Sequence, residues 1–382
     1  MKESDNDEDF SNLHEIYEGI REDLSEYVDA SNGVPIRVRT KDHTRQLEEL
    51  DKAAMAMVKS KGPFFTSHTN KHGKLIFKPT GPAHHFGLMS RLQQIYKPSC
   101  RYSEAIMLLF KSAESLGLKY EKFISPEMKC QFSSKKQAEL FNELVELMQI
   151  EGNTDEFKKK VYARKEKALD NLKSAMSHEE AMFNWRSRLE IIRLDFGYAE
   201  KYANVITIAE VRKDFKRFLN NRRSNAKIFG HLGGYIWKLE YGSEGKGLHY
   251  HVIFFFDGAE VDGGAYKAKQ IGDYWKTRIT KGKGYCHNCN LDRRNHLHWG
   301  IGTVHATDVE KRENLGRAIK YLTKKDYCFK LEMDGGRVFG TSGKPPLNLT
   351  GVGRPRTLKD PNRNYRGRLL RSNNRTVNWT KL

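Results

Sequence analysis

Residues 248–257 (LHYHVIFFFD) constrain the fold of this chain more than any other segment. Beyond its start the run is apolar on both faces. A strand with this pattern belongs in the interior of a sheet that is covered on most of both sides. Side chains alternate along a strand, so His249 and His251 project from the same face, with their backbones about 6–7 Å apart. The segment therefore predicts two imidazoles held at the start of a central strand.

Two other segments have the alternation of strands. They are residues 188–199 (RLEIIRLDFGYA) and 233–242 (GGYIWKLEYG), with Asp195 and Glu240 on their polar faces. Helices are predicted at 207–224, 265–280 and 308–328, and Asp308 is the expected N-cap of the last one. The order of elements predicts an α+β domain with a central, mainly antiparallel sheet flanked by helices.

The N-terminal half is predicted to be mostly helical and contains no recognisable chemistry. Helical composition covers residues 43–60, 103–116, 134–150 and 154–176, and residues 62–86 are expected to form a loop or a small hairpin.

Composition suggests four regions. Residues 1–30 carry eleven acidic and two basic residues, which predicts a disordered acidic arm. Residues 31–182 form the helical region, 183–345 the α+β domain, and 346–382 a basic extended tail.

The net charge of +19 favours a polyanionic partner, and nucleic acid is the usual one. The alternative is general solubility.

No run of about 18 apolar residues is present, so we expect no membrane span. The five cysteines are too few and too unevenly spaced for a disulfide framework, which favours a reducing cytoplasm. No phosphate-binding GxxxxGK[ST] loop occurs, so the chain has no P-loop helicase motif.

The histidine pair is a candidate metal site. A Gly-rich turn with Gly242, Gly245 and Gly247 precedes it, and Glu240 on the preceding strand could reach the same ion. Two nitrogens and one carboxylate would leave coordination positions for a phosphate and water. The alternatives are two surface histidines and an ion pair between Glu240 and Lys238 or a nearby arginine.

Tyr321 and Lys324 lie three residues apart on the last predicted helix and are therefore neighbours on its surface. An ordinary tyrosine has a pKa of about 10 and is a poor nucleophile at neutral pH. A cationic neighbour and a metal-polarised phosphate would make its attack feasible. The alternative is a common surface pair, because the YxxK pattern alone carries little information.

Together, LHYH followed by VIFFF and the downstream YLTK helix resemble the HUH endonuclease superfamily of rolling-circle replication initiators. RLDFGYA (193–199), WKLEYG (237–242) and IKYLTKKD (319–326) extend the similarity to the replication endonucleases of filamentous, inovirus-type phages. The order matches as well, since the His pair comes before the tyrosine, whereas conjugative relaxases usually place their tyrosine N-terminally. The resemblance covers about residues 185–345.

The resemblance implies a metal-dependent nickase of single-stranded or hairpin origin DNA. Its cofactor would be Mg²⁺ or Mn²⁺ at His249, His251 and Glu240, and Tyr321 would form a 5′-phosphotyrosine link with Lys324 steadying the charge. A host helicase and polymerase would be needed in the cytoplasm of a bacterial host. Some relatives have a second tyrosine four residues on, where this chain has Lys325, so we expect a single nucleophile.

Two rival functions remain open at this point. One is a transposase that uses the same chemistry on element ends. The other is a DNA-binding regulator that keeps the fold but has lost activity.

Three further groups are candidates. Asp195 is expected to orient a ligand histidine or to receive the tyrosine proton, or else to pair only with Arg193. A structural Zn²⁺ would use Cys286, Cys289, His296 and His298, which are otherwise unligated loop residues. The candidate DNA contacts are Arg212, Lys213, Lys216, Arg217, Arg222 and Arg223 on the basic helix, with Arg354 and Arg356 in the tail; the alternative for the helix is a solvated face.

Overall fold

A computed structural model describes the backbone of residues 25–29, 35–39, 43–92, 100–118, 121–203, 205–241, 247–291, 299–331 and 336–345. Side chains are described for most of these residues, with the exceptions 25–29, 35–39, 43–45, 82, 91, 100, 101, 241 and 324–331. Most of the predicted acidic arm and the whole of the predicted basic tail, with Arg354 and Arg356, lie outside them. Two compact units are present: Met1–Lys167 with Lys325–Met333, and Ala168–Lys324 with Asp334–Leu382. The domain boundaries drawn from composition stay a prediction.

The first unit is built on three helices and a hairpin. The helices are α1 (His43–Lys59), α2 (Glu104–Ser115) and α3 (Gln137–Gly152), and their buried apolar side chains share one core. Strands β1 (Ser25–Asp29) and β2 (Pro35–Arg39) pair with each other, as do β3 (Phe65–Thr69) and β4 (Leu75–Pro79). A 3-10 helix, Gly81–Arg91, follows the second pair. The short strand β5 (Cys100–Tyr102) pairs with β11 (Phe329–Leu331). The helices predicted here are confirmed.

The fourth predicted helix is longer than expected. Helix α4 runs over Asp155–Trp185 instead of ending near residue 176. Its last turns carry Ala175, Met182 and Phe183, which are buried in the core of the second unit. Tertiary packing therefore extends the helix beyond the point where helical composition ends.

The second unit contains a six-stranded sheet in the described part of the chain. Its central path runs β10 (Gly302–His305), β6 (Arg188–Tyr198), β8 (Leu248–Asp257), β7 (Leu232–Tyr241) and β12 (Phe339–Thr341). Strand β9 (Gly284–Asn288) also pairs with β6, and every pairing is antiparallel. The predicted α+β class and the central position of 248–257 are confirmed.

The helices cover both faces of this sheet. On one face Ile253 and Phe255 pack with the end of α4 and with α9 (Val309–Cys328). Asp308 accepts a hydrogen bond from the backbone N–H of Lys311 (3.0 Å) and caps α9 as predicted. We call this face the histidine face, because His249 and His251 of β8 project from the same face as Ile253 and Phe255.

The opposite face is aromatic. Phe196 of β6 stacks on Trp275 with ring centroids 4.9 Å apart. Phe215 and Phe218 of α6 (Ile208–Asn221) pack on the same face. The predicted helix 265–280 is α8 (Gly264–Tyr274) followed by a π-helical turn at Trp275–Ile279. That turn places the Trp275 indole N–H where it donates to the Gly197 carbonyl (3.0 Å). The short helices α5 (Glu200–Ala203) and α7 (Ala226–Phe229) complete the unit. No described helix is long and apolar enough to cross a bilayer.

His178 of α4 ties the end of the described chain to the sheet. Its Nε2 lies 3.2 Å from the Ser342 hydroxyl, which also accepts a hydrogen bond from the Tyr235 backbone N–H (3.0 Å). The ring is 1% exposed, and burial lowers the pKa of His178 from 6.5 to about 4, with a smaller contribution from Lys344.

This pKa predicts a pH-dependent stability. An unfolded His178 binds a proton below about pH 6.5, whereas the folded one stays neutral until pH is about 4. Its contribution of up to about 3 kcal/mol is therefore present above pH 6.5 and lost as the pH falls toward 4. Substituting His178→Gln should flatten that part of the pH profile of the unfolding free energy. All five tryptophans follow residue 184, so denaturant unfolding read by tryptophan fluorescence reports the second unit. An unchanged slope would refute the assignment, and His305→Gln, an exposed position in the second unit, is the control.

Candidate metal site and the helix that covers its face

Strand register brings the predicted site residues together. Asp195 of β6 lies opposite His251 of β8, and Lys238 of β7 lies opposite the same histidine on its other side. Glu240 lies opposite His249 one step further along. All five side chains project from the histidine face, because paired residues in an antiparallel sheet share a face.

Three of these side chains present ligand atoms to one point. The Nε2 atoms of His249 and His251 are 3.1 Å apart, and Glu240 Oε2 lies 3.2 Å from His251 Nε2. The ligand atoms of the three residues all lie within 4.8 Å of one another. His251 and Glu240 are 3% and 5% exposed and His249 is half-buried, so two of the three side chains are shielded from bulk water.

Hydrogen bonds to the Nδ1 atoms orient both imidazoles. His251 Nδ1 lies 2.7 Å from Asp195 Oδ1, and His249 Nδ1 lies 3.1 Å from the Gly247 carbonyl oxygen. Both partners are acceptors, so each Nδ1 can donate a proton to its partner and leave Nε2 free to present a lone pair to a metal ion. A cation placed between the two Nε2 atoms and the Glu240 carboxylate would be bound by three donor atoms. The donor set therefore fits a divalent metal ion, with the outer hydrogen bonds usual for metal-ligating histidines.

Asp195 is ionised by its surroundings. Burial alone would raise its pKa, but the electrostatic interactions with His251 and Arg193 outweigh that effect and hold the pKa well below the ordinary range. Arg193 Nε lies 3.7 Å from Asp195 Oδ1. An ionised carboxylate that already accepts from His251 is a poor acceptor for another proton. Of the two roles predicted for Asp195, orientation of a histidine is the one that the geometry supports.

Two basic side chains beside the cluster were not predicted as site residues. His287 of β9 lies opposite Asp195 and contributes to lowering the pKa of that carboxyl. Lys238 is only 1% exposed and was considered only as an alternative ion-pair partner of Glu240. The sequence does contain a signal for Lys238, because the period of two along the strand places it on the same face as Ile236 and Glu240. His287 has no such signal, because the residues around it, 284–288 (GYCHN), show no apolar alternation.

Tyr321 lies on the helix that covers the histidine face. Ile319 and Leu322 of α9 are fully buried against the core that includes Ile253 and Phe255, and Tyr321 packs against the same core. The tyrosine is half-buried, and its hydroxyl oxygen is shielded from solvent. The backbone of Lys324 lies in α9, but its side chain lies outside the described residues.

The structure does not bring the two predicted zinc cysteines together. Cys286 lies opposite Phe196 on the aromatic face, against Gly272 of α8. Cys289 is buried in the core on the histidine face. Burial raises the pKa of the Cys286 thiol, which disfavours the thiolate that binds zinc. His296 and His298 lie outside the described residues. The turn between the cysteines carries the chain from one face of the sheet to the other.

The basic helix lies on the opposite side of the sheet from the imidazoles. Three of the six candidate DNA-binding residues there contact other parts of the protein. Arg217 donates hydrogen bonds to Asp214 and to the Ile279 carbonyl. Arg222 lies over the Tyr235 ring, and Arg212 packs against Gly336. The exposed ones are Lys213, Lys216 and Arg223. Composition identified a basic helix but could not reveal which arginines are engaged in packing.

The part of the chain that contains this site is similar to a known family. Residues 196–326 match the family model described as replication-associated protein ORF2. The match includes Glu240, His249, His251 and Tyr321, and starts one residue after Asp195. No curated protein and no solved structure matches the chain. The region is thus similar to replication-associated proteins, and the narrower resemblance to inovirus-type HUH endonucleases stays a prediction.

The geometry predicts the tautomer of His251. With Asp195 ionised, His251 should carry its proton on Nδ1, and Asp195→Asn should shift the population toward Nε2–H, because an amide can also donate. Nitrogen-15 NMR of histidine-labelled protein in EDTA would show the change, with His251→Gln to assign the signals. Asp308→Asn, at the N-cap of α9, is the matched control. An unchanged tautomer in Asp195→Asn would show that Asp195 does not orient the ring.

Proposed function

We propose that this protein is a metal-dependent nicking and joining endonuclease that starts rolling-circle replication on single-stranded or hairpin origin DNA. The observation that carries the proposal is the Glu240–His249–His251 cluster on the sheet face covered by the Tyr321 helix. The similarity of residues 196–326 to replication-associated proteins supports it.

The cluster would hold Mg²⁺ or Mn²⁺. Such an ion would supply Lewis-acid polarisation of the scissile phosphate. The chain itself holds the ligands ready: Asp195 keeps the His251 lone pair on Nε2, and the Gly247 carbonyl does the same for His249. Asp195 is therefore a positioning residue that acts through His251.

Tyr321 would be the nucleophile. Its oxygen forms a bond to phosphorus while the bond from phosphorus to the 3′-oxygen breaks. The tyrosine loses its proton, the departing oxygen gains one, and the products are a 3′-OH primer and a 5′-phosphotyrosine link. Lys324 would offset the charge that builds up on the phosphate, a role that rests on its spacing from Tyr321 in sequence. Attack by a 3′-OH on the phosphotyrosine reverses the reaction and closes the circle.

Host proteins would supply the remaining steps. The chain contains no P-loop motif, so strand separation would depend on a helicase of the bacterial host, and a host polymerase would extend the primer. The reaction would then take place in the host cytoplasm.

Replacing Tyr321 by Phe should abolish the covalent protein–DNA adduct and leave DNA binding intact, because only the attacking oxygen is removed. The test is a denaturing gel with labelled single-stranded DNA from beside the gene, in Mn²⁺ or in EDTA. Tyr327→Phe is the matched control and should still form the adduct. An undiminished adduct in Tyr321→Phe would exclude this nucleophile. If the wild-type protein bound DNA tightly but formed no adduct in any condition, the regulator would be the better interpretation.

The metal site makes a separate prediction that needs no DNA. The affinity for Mn²⁺ can be measured by the loss of the free-ion signal in electron paramagnetic resonance. It should be weakened in Glu240→Gln, which removes a ligand. Asp195→Asn should weaken it about 10–100-fold, the usual effect of losing a partner of a ligating histidine. Asp214→Asn removes a carboxylate on the aromatic face and should bind like wild type. Equal affinities in all four proteins would place the Mn²⁺ site elsewhere.

A further inference from the structure

An acid-free stretch of sequence lies in the first unit. Residues 52–103 contain nine Lys or Arg and four His residues but no Asp or Glu. The whole chain has 67 basic and 48 acidic residues, so a random segment of this length would contain several acids. In the middle of this stretch, the positive charge is therefore concentrated and has no acidic residue nearby in the sequence.

The β3–β4 hairpin lies in the middle of this stretch and has one apolar and one basic face. Phe65 and Phe77 are buried on the first face, against the core of the first unit. The other face carries Thr66, His68, Lys74 and Lys78, all of them exposed, with the half-buried Ile76 between the lysines. Lys71 and His72 are exposed at the turn. We call this second face and the turn the basic hairpin surface.

The hairpin is rigidly mounted. Asn142 of α3 accepts hydrogen bonds from the backbone N–H groups of Phe64 and Phe65 (both 3.0 Å) and donates to the Phe65 carbonyl (2.8 Å). At the turn, the Asn70 side chain accepts from the backbone N–H groups of His72 and Lys74, both at 2.9 Å. Gly73 adopts the positive φ of 73° that this turn needs. A rigid surface loses little entropy when it binds a partner.

We propose that the basic hairpin surface is a binding site for duplex DNA. The inference takes DNA as the partner from the proposed function, and it adds a second contact that lies outside the nicking chemistry. Lysines on a rigid two-stranded ribbon suit the phosphates that flank the major groove, which is wide enough to admit such a ribbon.

Duplex fits better than single strand because of the side chains on this surface. Proteins that hold single strands stack the bases on exposed aromatic rings. The two phenylalanines of residues 65–79, a segment that the structure describes completely, are both buried. The segment contains no Tyr or Trp, so its exposed rings are the small imidazoles of His68 and His72. Its exposed lysine and hydroxyl side chains contact phosphate and sugar.

The test is the salt dependence of duplex binding by the full-length protein. The variant is Lys71→Ala/Lys78→Ala, which leaves Lys74 in place because Lys74 interacts with Glu127. Affinity is measured by fluorescence anisotropy in EDTA, for a labelled duplex of mixed sequence and for its single strand. If each lysine contacts a phosphate, the slope of log K against log salt should decrease in magnitude by about two for the duplex. Single-strand binding should change little.

The matched control removes two positive charges from the same unit. Lys111→Ala/Lys135→Ala takes away lysines that pair with Glu151 and Glu143, and it should leave the duplex slope unchanged. Lys71→Arg/Lys78→Arg keeps the charge and should retain the wild-type slope. Circular dichroism of each variant verifies that it is folded.

Two outcomes would overturn the proposal. One is an unchanged duplex slope in the hairpin variant. The other is a loss of slope that is equal for duplex and single strand, or equal for the hairpin and control variants, because an equal loss would indicate general electrostatics. Neither outcome depends on Tyr321 or on a metal. Failure of the hairpin proposal is therefore distinguishable from failure of the nickase proposal.

Discussion

The pairing of β8 with its two neighbours is the constraint on which the candidate site depends. Phe254 and Phe255 project from opposite faces of this strand, and both are completely buried. A shift of one residue against β6 or β7 would exchange the faces of every side chain on the shifted strand. It would turn Asp195 or Glu240 away from His251 and move buried apolar side chains of that strand to the wrong face. The free energy of core packing thus holds polar groups in a geometry that they would not hold by themselves.

The second requirement is that the tyrosine helix keeps its position on that sheet. Arg312 of α9 is 3% exposed and donates to both carboxylate oxygens of Glu179 on α4, at 3.1 Å each. Its guanidinium also lies 4.3 Å from the centre of the Phe183 ring. A buried ion pair adds little net stability, but the loss of one partner is costly because the other charge is left buried. Glu180 also accepts a hydrogen bond from Arg312 (2.9 Å), so these contacts hold α9 against α4. Tyr321 lies nine residues further along the same helix.

The sequence predicted most of the candidate site because the site follows local alternation. Period-two patterns placed His249, His251 and Glu240 on faces that the strand register then brought together. Strand β9 was missed because five residues rich in Gly, Cys and His have no apolar alternation, and only pairing with β6 makes them a strand. The zinc prediction placed Cys286 and Cys289 in one loop. In the structure, Cys286 lies in β9, and the pairing of β9 with β6 ends at Asn288, before Cys289. Such long-range pairing is not encoded in any single segment.

The proposed function would account for the separation of the basic hairpin surface from the candidate metal site. Interactions that hold DNA equally well in the ground state and in the transition state raise affinity without speeding the chemical step. At the cluster, Arg193 and His287 act electrostatically on Asp195, the residue that would position His251 in the proposed function. In the proposed function, affinity for DNA would come from other surfaces, and an acid-free, rigidly mounted hairpin is suited to that task. The proposed hairpin contact would need only positive charge and stiffness, whereas the proposed metal site would depend on three ligands in one strand register.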